Sequence, residues 1–353
     1  MKNRKTSYPM ARRDWLQVGG VSTFGLTLPG LLQSTLAGDS SSPVDKTFGR
    51  AKSCIVLFLM GGPPQHETWD PKPDAPDNIR GGLKTISTSQ PGFQVGELMP
   101  KTAAMVNDLA VIRSMSTDDN AHSASGYWML TGVPHTPKNR ETDGKGGAPN
   151  DWPCLGGQVR HLLGDRGRLP AAITLPENIW NTGKINWSGQ TAGWLGANAD
   201  PWLIMCDPNA AEFEISELAL GEGVTPIRMR NRGDLLSQFN QSMDHLLRSN
   251  VVSRMNRYQQ RAMDMLSSKE ARRAFAIEQE DDLLRDSYGR NRFGQSVLLA
   301  RRMVESGVRL VQVNWTRWEH DTSAAPAWDN HARNEARLKK DLMPQMDAAY
   351  STL

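Results

Sequence analysis

Residues 54–64, Cys54-Ile-Val-Leu-Phe-Leu-Met60 followed by Gly61-Gly-Pro-Pro64, decide the fold class of this chain. The apolar run is continuous and has no period of two, so neither face is marked for water. That pattern suits a strand covered on both faces, as in parallel sheets. Glycine and proline then close the run and place a loop at the strand's carboxyl end.

Outward from this stretch, Met99–Asn107 reads as a helix and Leu109-Ala-Val-Ile-Arg113 as a second strand. His122–Leu130 reads as the opening of a helix, and Ala171-Ala-Ile-Thr-Leu175 as another strand. Gln295–Glu305 is an amphipathic helix with Gly307 in the C′ position, and Val308-Arg-Leu-Val-Gln-Val313 supplies a further strand. Strands alternating with helices predict an α/β sheet with right-handed crossovers. Between Gly233 and Arg285 the composition turns to Leu, Met, Gln, Arg and Glu without proline. Helices are expected over Leu235–Leu247, Val252–Leu266 and Lys269–Leu284, a helical insertion around 233–286 whose Met/Leu stripe reads as core. Residues 134–150, rich in Gly, Pro, Lys and Asn, read as a surface loop.

The amino terminus has a different character. Met10-Ala-Arg-Arg-Asp-Trp-Leu-Gln17 precedes an uncharged run from Val18 to Leu32, and small residues close it at Thr35-Leu-Ala37. A basic region, an apolar region and a small-x-small exit make an export signal, and the paired Arg12 and Arg13 select the twin-arginine route. The organisation expected is a signal peptide over 1–37, a Ser/Pro-containing linker over 38–47 and one α/β domain over 48–353. Localisation is expected to be periplasmic or extracellular, with the twin-arginine export machinery as a partner.

Charge follows from the leader. Residues 1–37 hold Lys2, Arg4, Lys5, Arg12 and Arg13 against Asp14, a net of +4, so the remainder of a chain that totals +3 is close to −1. The basic balance therefore gives no argument for nucleic-acid binding. The run Val18–Leu32 is short and contains four glycines, unsuited to a membrane span, and no later run approaches spanning length. Three cysteines, Cys54, Cys154 and Cys206, have no metal-type spacing and allow at most one disulfide.

Ligands of open α/β sheets bind in loops at the carboxyl ends of strands, and three clusters qualify. Gly61–Pro73 carries His66, Glu67 and Asp70 on a loop stiffened by four prolines; the alternative there is an ordered turn with solvated polar groups. Asp118–Gly132 places Asn120, His122 and Ser123 where a helix begins, so that backbone N–H groups favour an anionic group and activate a nucleophile. The blander account makes Asp119 or Asn120 only the helix cap. Trp318-Glu-His-Asp321 and Trp328-Asp-Asn-His331 form the third cluster. An Asp-x-His pair beyond a strand end presents carboxylate and imidazole to one cation.

These motifs occur together and in order. The twin-arginine leader, the strand with Gly-Gly-Pro and Glu67-Thr-Trp-Asp-Pro-Lys-Pro73, His122-Ser-x-Ser-Gly-x-x-x-Leu-Thr-Gly132, Tyr288-Gly-x-Asn-x-Phe-Gly294, Leu298-Leu-Ala-Arg-Arg-Met-Val-Glu-x-Gly-Val308 and Trp328-Asp-x-His331 resemble the secreted bacterial domain-of-unknown-function family 1501. That family is related to the alkaline phosphatase/sulfatase superfamily. The resemblance implies an alkaline-phosphatase-like, mainly parallel sheet flanked by helices. It also implies a site for divalent metal (Zn, Ca or Mg) and hydrolysis of phosphate or sulfate esters, the substrate being a small molecule or a glycan. It points to His66, Asp70, Asp329 and His331 as metal ligands and to His122, Ser123 and Ser125 as catalytic groups. Sulfatases carry a cysteine, converted to formylglycine, ten residues before the Gly of Leu-Thr-Gly; here that position is His122, so formylglycine chemistry is excluded. The metal-binding aspartate usual at the end of the first strand is replaced by Met60-Gly-Gly, leaving Asp70 or His66 to substitute from the loop. Family members continue past Leu353 with another strand and two further loops, so an incomplete carboxyl end is expected, with some ligands lost. Leu338, Leu342, Met343 and Met346 mark a buried stripe on a helix running from Ala332. The alternative function is a non-catalytic exported protein that binds carbohydrate or a partner through tryptophans such as Trp180, Trp187, Trp194 and Trp202.

Overall fold

The computed structural model describes residues 49–136, 151–165, 167–180, 185–213, 268–318 and 327–353, with isolated positions between 215 and 238. The chain divides into Met1–Lys52 and Ser53–Leu353. The leader, the linker, the helices expected over Leu235–Leu247 and Val252–Leu266 and the Glu319-His-Asp321 group lie, apart from isolated positions, outside the described residues.

Among the described residues of Ser53–Leu353, β1 (Cys54–Leu59), β4 (Ala172–Leu175), β5 (Trp202–Leu203) and β6 (Leu310–Trp315) form a parallel sheet in the order β1-β6-β4-β5. Cys54 pairs with Leu310 and Leu59 with Trp315, while Ala172 and Leu175 of β4 pair with Leu310 and Val313 on the other side of β6. The short strands β2 (Thr85–Ser87) and β3 (Gln94–Gly96) make a separate antiparallel pair. The α/β class, mainly parallel and flanked by helices, is thus as the alternating pattern expected.

The first strand is less covered than the expected burial on both faces. Every residue of β6 and β4 is buried, whereas β1 is half-buried with Cys54 exposed. β1 has β6 on one side and no described strand on the other, so part of its surface reaches water. A continuous apolar run reports that a strand is hydrophobic, not how many neighbours it has.

Helix α6 (Arg292–Glu305) packs on β6 and reaches β1. Asn291 caps it, its Oδ1 accepting from the Gly294 N–H at 2.8 Å. Phe293, Val297, Leu298, Leu299 and Met303 are buried to 1% or less, each contributing about 1.5–3 kcal/mol of burial. The helix ends as expected: Gly307 has φ +95°, its N–H donates to Val304 O at 3.0 Å and the Val308 N–H donates to Met303 O at 3.0 Å. That paired arrangement needs a left-handed residue at C′ and turns the chain directly into β6.

Two expectations need correction. Leu109–Arg113 is not a strand: it leaves the 3-10 turn Val106–Asp108 as irregular chain, and Ile112 is 69% exposed. The run is only partly covered, and Arg113 turns toward Asp70, so its backbone enters no described ladder. Lys269–Leu284 is not one helix but two, α4 (Lys269–Phe275) and α5 (Asp282–Tyr288), parted by a 3-10 turn at Ile277–Gln279. Asp281 restarts the second by accepting from the Leu283 N–H at 2.8 Å.

The C-terminal helical segment begins at Asn334, passes through a π turn at Leu338–Leu342 and continues as α7 (Met343–Thr352). Its stripe Leu338, Leu342, Met343 and Met346 is buried, as the spacing expects. Asp347, 3% exposed, accepts from the Lys101 N–H at 3.0 Å and from the Thr102 N–H and hydroxyl at 2.8 and 2.6 Å. A carboxylate from α7 thereby caps α1 (Pro100–Ala104).

Candidate metal centre

The site is assembled where β1 ends. The Met60 N–H donates to Trp315 O and the Trp328 N–H to Met60 O, both at 3.0 Å, so three distant segments share one backbone junction. Gly61 follows with φ +95°, and a Cβ there would stand 2.1 Å from the Asp329 nitrogen. Only glycine lets segment 327–331 lie this close to the strand end. Trp328, 1% exposed, packs edge-on to Trp315 at 5.2 Å, and Trp315 stacks on Phe293 at 4.4 Å. The position before Asp329 is therefore fixed in the core.

Asp329 is 7% exposed, and its carboxylate meets two imidazoles. His331 Nε2 lies 2.6 Å from Oδ1 and His122 Nε2 3.3 Å from Oδ2, with the two rings 6.0 Å apart. His122 reaches this point as the first residue of α2 (His122–Thr131), whose preceding Ala121 N–H is held by Asp119 Oδ1 at 3.0 Å. The ligand atoms of His122, Asp329 and His331 all lie within 4.8 Å of one another. Two imidazole nitrogens and one carboxylate oxygen are a donor set for a borderline divalent ion. Around a tetrahedral ion such donors sit roughly 3.4 Å apart; His122 Nε2 already stands 3.3 Å from Oδ2, whereas His331 Nε2, hydrogen-bonded to Oδ1 at 2.6 Å, would move outward to share an ion.

The other sequence-derived candidates fall elsewhere. Asp70, 8% exposed, accepts a 2.6 Å ion pair from Lys72 and a 2.9 Å one from Arg113. The Lys72 ammonium, with Arg113 beside it, holds the Asp70 carboxyl below the usual carboxylate range against the opposing effect of burial. His66 lies in the 3-10 turn Gln65–Glu67 and lines a different cavity, of about 670 Å³, with Lys72, Arg80, Lys84 and Glu335. Neither joins the three-residue cluster among the described residues. Ser123 is wholly buried, while Ser125 sits 3.1 Å from Thr117 Oγ1 and faces a cavity of about 480 Å³ beside His122. Sequence reasoning treated Asp119 as at most a cap and Trp187 as one tryptophan among many. Both line that cavity, and the signal that could have found Asp119 is its place three residues before His122.

No curated protein and no solved structure matches this chain. Residues 51–353 match the family described as "Protein of unknown function (DUF1501)". The span covers every residue of the cluster and of both cavities, and the chain belongs to the DUF1501 family.

Proposed function

We propose that this chain is an exported, metal-dependent hydrolase of phosphate or sulfate esters with an alkaline-phosphatase-like core. The observation that supports it is the convergence of His122, Asp329 and His331 beside a cavity at the carboxyl end of β1. Three protein donors leave an open position, as catalytic zinc sites do, and the two imidazoles favour Zn over Ca or Mg. A cation held there would supply Lewis acidity toward ester oxygens and toward water. The chain's own contribution is placement. Trp328 and Gly61 hold Asp329 in position, Asp329 orients both imidazoles, and Ser125 offers a hydroxyl on the cavity wall. His122 at the formylglycine position leaves a serine or water as nucleophile.

The test is turnover of 4-nitrophenyl phosphate and 4-nitrophenyl sulfate by the zinc-loaded protein. Activity on one of them, abolished by chelator and restored by zinc, is expected; zinc-loaded protein inert to both, or turnover indifferent to chelator, contradicts the reading. Export by the twin-arginine route rests on Arg12 and Arg13. Arg12→Lys with Arg13→Lys should strand precursor in the cytoplasm, and normal accumulation outside it would refute that route.

One observation favours the non-catalytic alternative. Trp152 and Trp194 are 49% and 54% exposed with ring centroids 5.9 Å apart, an aromatic surface on which sugars can stack. Glycan binding by protein that turns over neither ester would favour it.

A further inference from the structure

One edge of β1 is unguarded. The Cys54 N–H donates to Arg309 O at 2.8 Å and the Met60 N–H to Trp315 O at 3.0 Å. Strand residues alternate in direction, so Cys54, Val56 and Phe58 turn their backbone groups toward β6, and Ile55, Leu57 and Leu59 turn theirs away. Leu59 O accepts from the Gly62 N–H at 3.1 Å. The N–H groups of Ile55, Leu57 and Leu59 and the carbonyls of Ile55 and Leu57 have no partner among the described residues. Free edges are ordinarily blunted by charge, proline or a bulge. Cys54-Ile-Val-Leu-Phe-Leu59 carries neither charge nor proline, and its residues beyond Cys54 are half-buried.

That edge opens on the cavity beside His122, which Leu57, Phe58 and Leu59 line together. Consecutive strand residues point to opposite faces, so a space touching all three runs along the edge. α2 forms the other wall through His122, Ser125, Gly126 and Met129, with the Trp187 ring against Gly126, where a Cβ would come within 2.4 Å of it. An edge with a wall beside it admits one extended chain, not the sheet edge of a second copy.

We infer that the open edge of β1 takes an extended peptide as an added strand, which makes the ester at the cluster one carried on a peptide side chain. The word ester rests on the hydrolase reading; the strand site does not. A peptide presents donors and acceptors at the two-residue repeat of a strand, about 6.6 Å, whereas a glycan or a small ester has no such row. The cavity, of about 480 Å³, has room for one aromatic side chain, and Phe58, Met129 and Trp187 favour its ring, so the carrier is tyrosine. Hydrolysis would pass the phosphoryl or sulfuryl group from the tyrosine oxygen to water, and that oxygen would leave as the phenol with a proton from the water.

The probe is a blocked pentapeptide of alternating valine and threonine around a central tyrosine, offered to the full chain after chelation. Amide hydrogen exchange at Ile55, Leu57 and Leu59 should slow at least about tenfold under saturating peptide. N-methylation of the peptide at alternate residues comes in two patterns. One should weaken binding at least about tenfold and the other should not. With zinc, the phosphorylated or sulfated peptide should exceed the free tyrosine ester at least about tenfold in kcat/KM. Absence of peptide binding, unmoved amides, two methylation patterns of equal effect, or equal kcat/KM for peptide and free ester would each overturn the inference. So would protection of the three amides before peptide is added, since the chain itself or a second copy would then hold the edge. The two ideas fail separately. Peptide held along the edge without turnover of any ester sinks the hydrolase reading and leaves the strand site standing, whereas turnover of 4-nitrophenyl esters without peptide binding sinks only the inference.

Discussion

Asp70 and Asp329 are both buried aspartates, 8% and 7% exposed, and each lies beyond the carboxyl end of a strand of the parallel sheet, β1 and β6. Their partners differ in kind. Asp70 is closed by an ammonium and a guanidinium, two permanent cations that satisfy its charge and leave nothing for an ion to neutralise. Asp329 is closed by two imidazoles, which carry no permanent charge and can exchange a shared proton for a metal. A buried carboxylate can thus be closed as a structural clamp or left open to a metal, according to what faces it. The difference lies two residues on, Lys72 against His331, and again 43 and 207 positions away, Arg113 against His122.

The comparison breaks first at Gly61. A methyl group there would stand 2.1 Å from the Asp329 nitrogen, and the residue's φ of +95° disfavours any side chain. Gly61→Ala should cost about 2–4 kcal/mol in overpacking and backbone strain and displace Asp329 from the imidazoles, weakening zinc binding. Gly62→Ala, with φ +77° and nothing within 4 Å of its Cβ, should cost only about 1 kcal/mol and leave the metal untouched. Thermal melts with zinc titrations of both proteins decide, and equal behaviour would mean the close approach does not hold the site.

A smaller effect sharpens the other half. Asp70→Asn should lower stability by about 1 kcal/mol at neutral pH, modest because Lys72 and Arg113 are half exposed. Its folded pKa is lowered, so the stabilisation is present above the unfolded value near 3.9 and is lost as pH falls through the folded one. The gap between wild type and Asp70→Asn should therefore hold constant from pH 7 to about 5 and close in stronger acid. Denaturant melts across that range check it, and a gap that widens on acidification would contradict the clamp.

Much of this was legible because its causes are local. The strand Ala172–Leu175, helix α6 with Gly307 at its end, and the stripe Leu338, Leu342, Met343 and Met346 each follow from spacing and caps within a few residues. So did the Asp-x-His geometry of Asp329 and His331, which two residues of chain suffice to make. What failed depended on distant partners. The hydrophobicity of Cys54–Leu59 could not reveal that β6, not β1, lies between two strands. Leu109–Arg113 carried a strand's composition without a neighbouring ladder. Asp70 and His66 had ligand chemistry; Lys72, two residues from Asp70, was in plain sight, but Arg113, which completes the closure of Asp70, and the second cavity that takes His66 are tertiary facts. His122 was singled out for its position at a helix opening, yet its closeness to Asp329 arises only from the junction of β1, β6 and segment 327–331.

Zinc titration of four proteins separates the metal-facing aspartate, Asp329, from the ion-paired one, Asp70. Wild type should bind zinc with X-ray absorption showing nitrogen and oxygen ligands at about 2.0–2.2 Å, two of them imidazoles. Outer-sphere partners of a metal site already cost about 10–100-fold when lost, so His331→Ala and Asp329→Asn should each weaken binding by about 100-fold or more. Asp70→Asn should bind as wild type within about twofold. Zinc affinity unmoved by His331→Ala and Asp329→Asn, or reduced as much by Asp70→Asn as by them, would contradict the assignment.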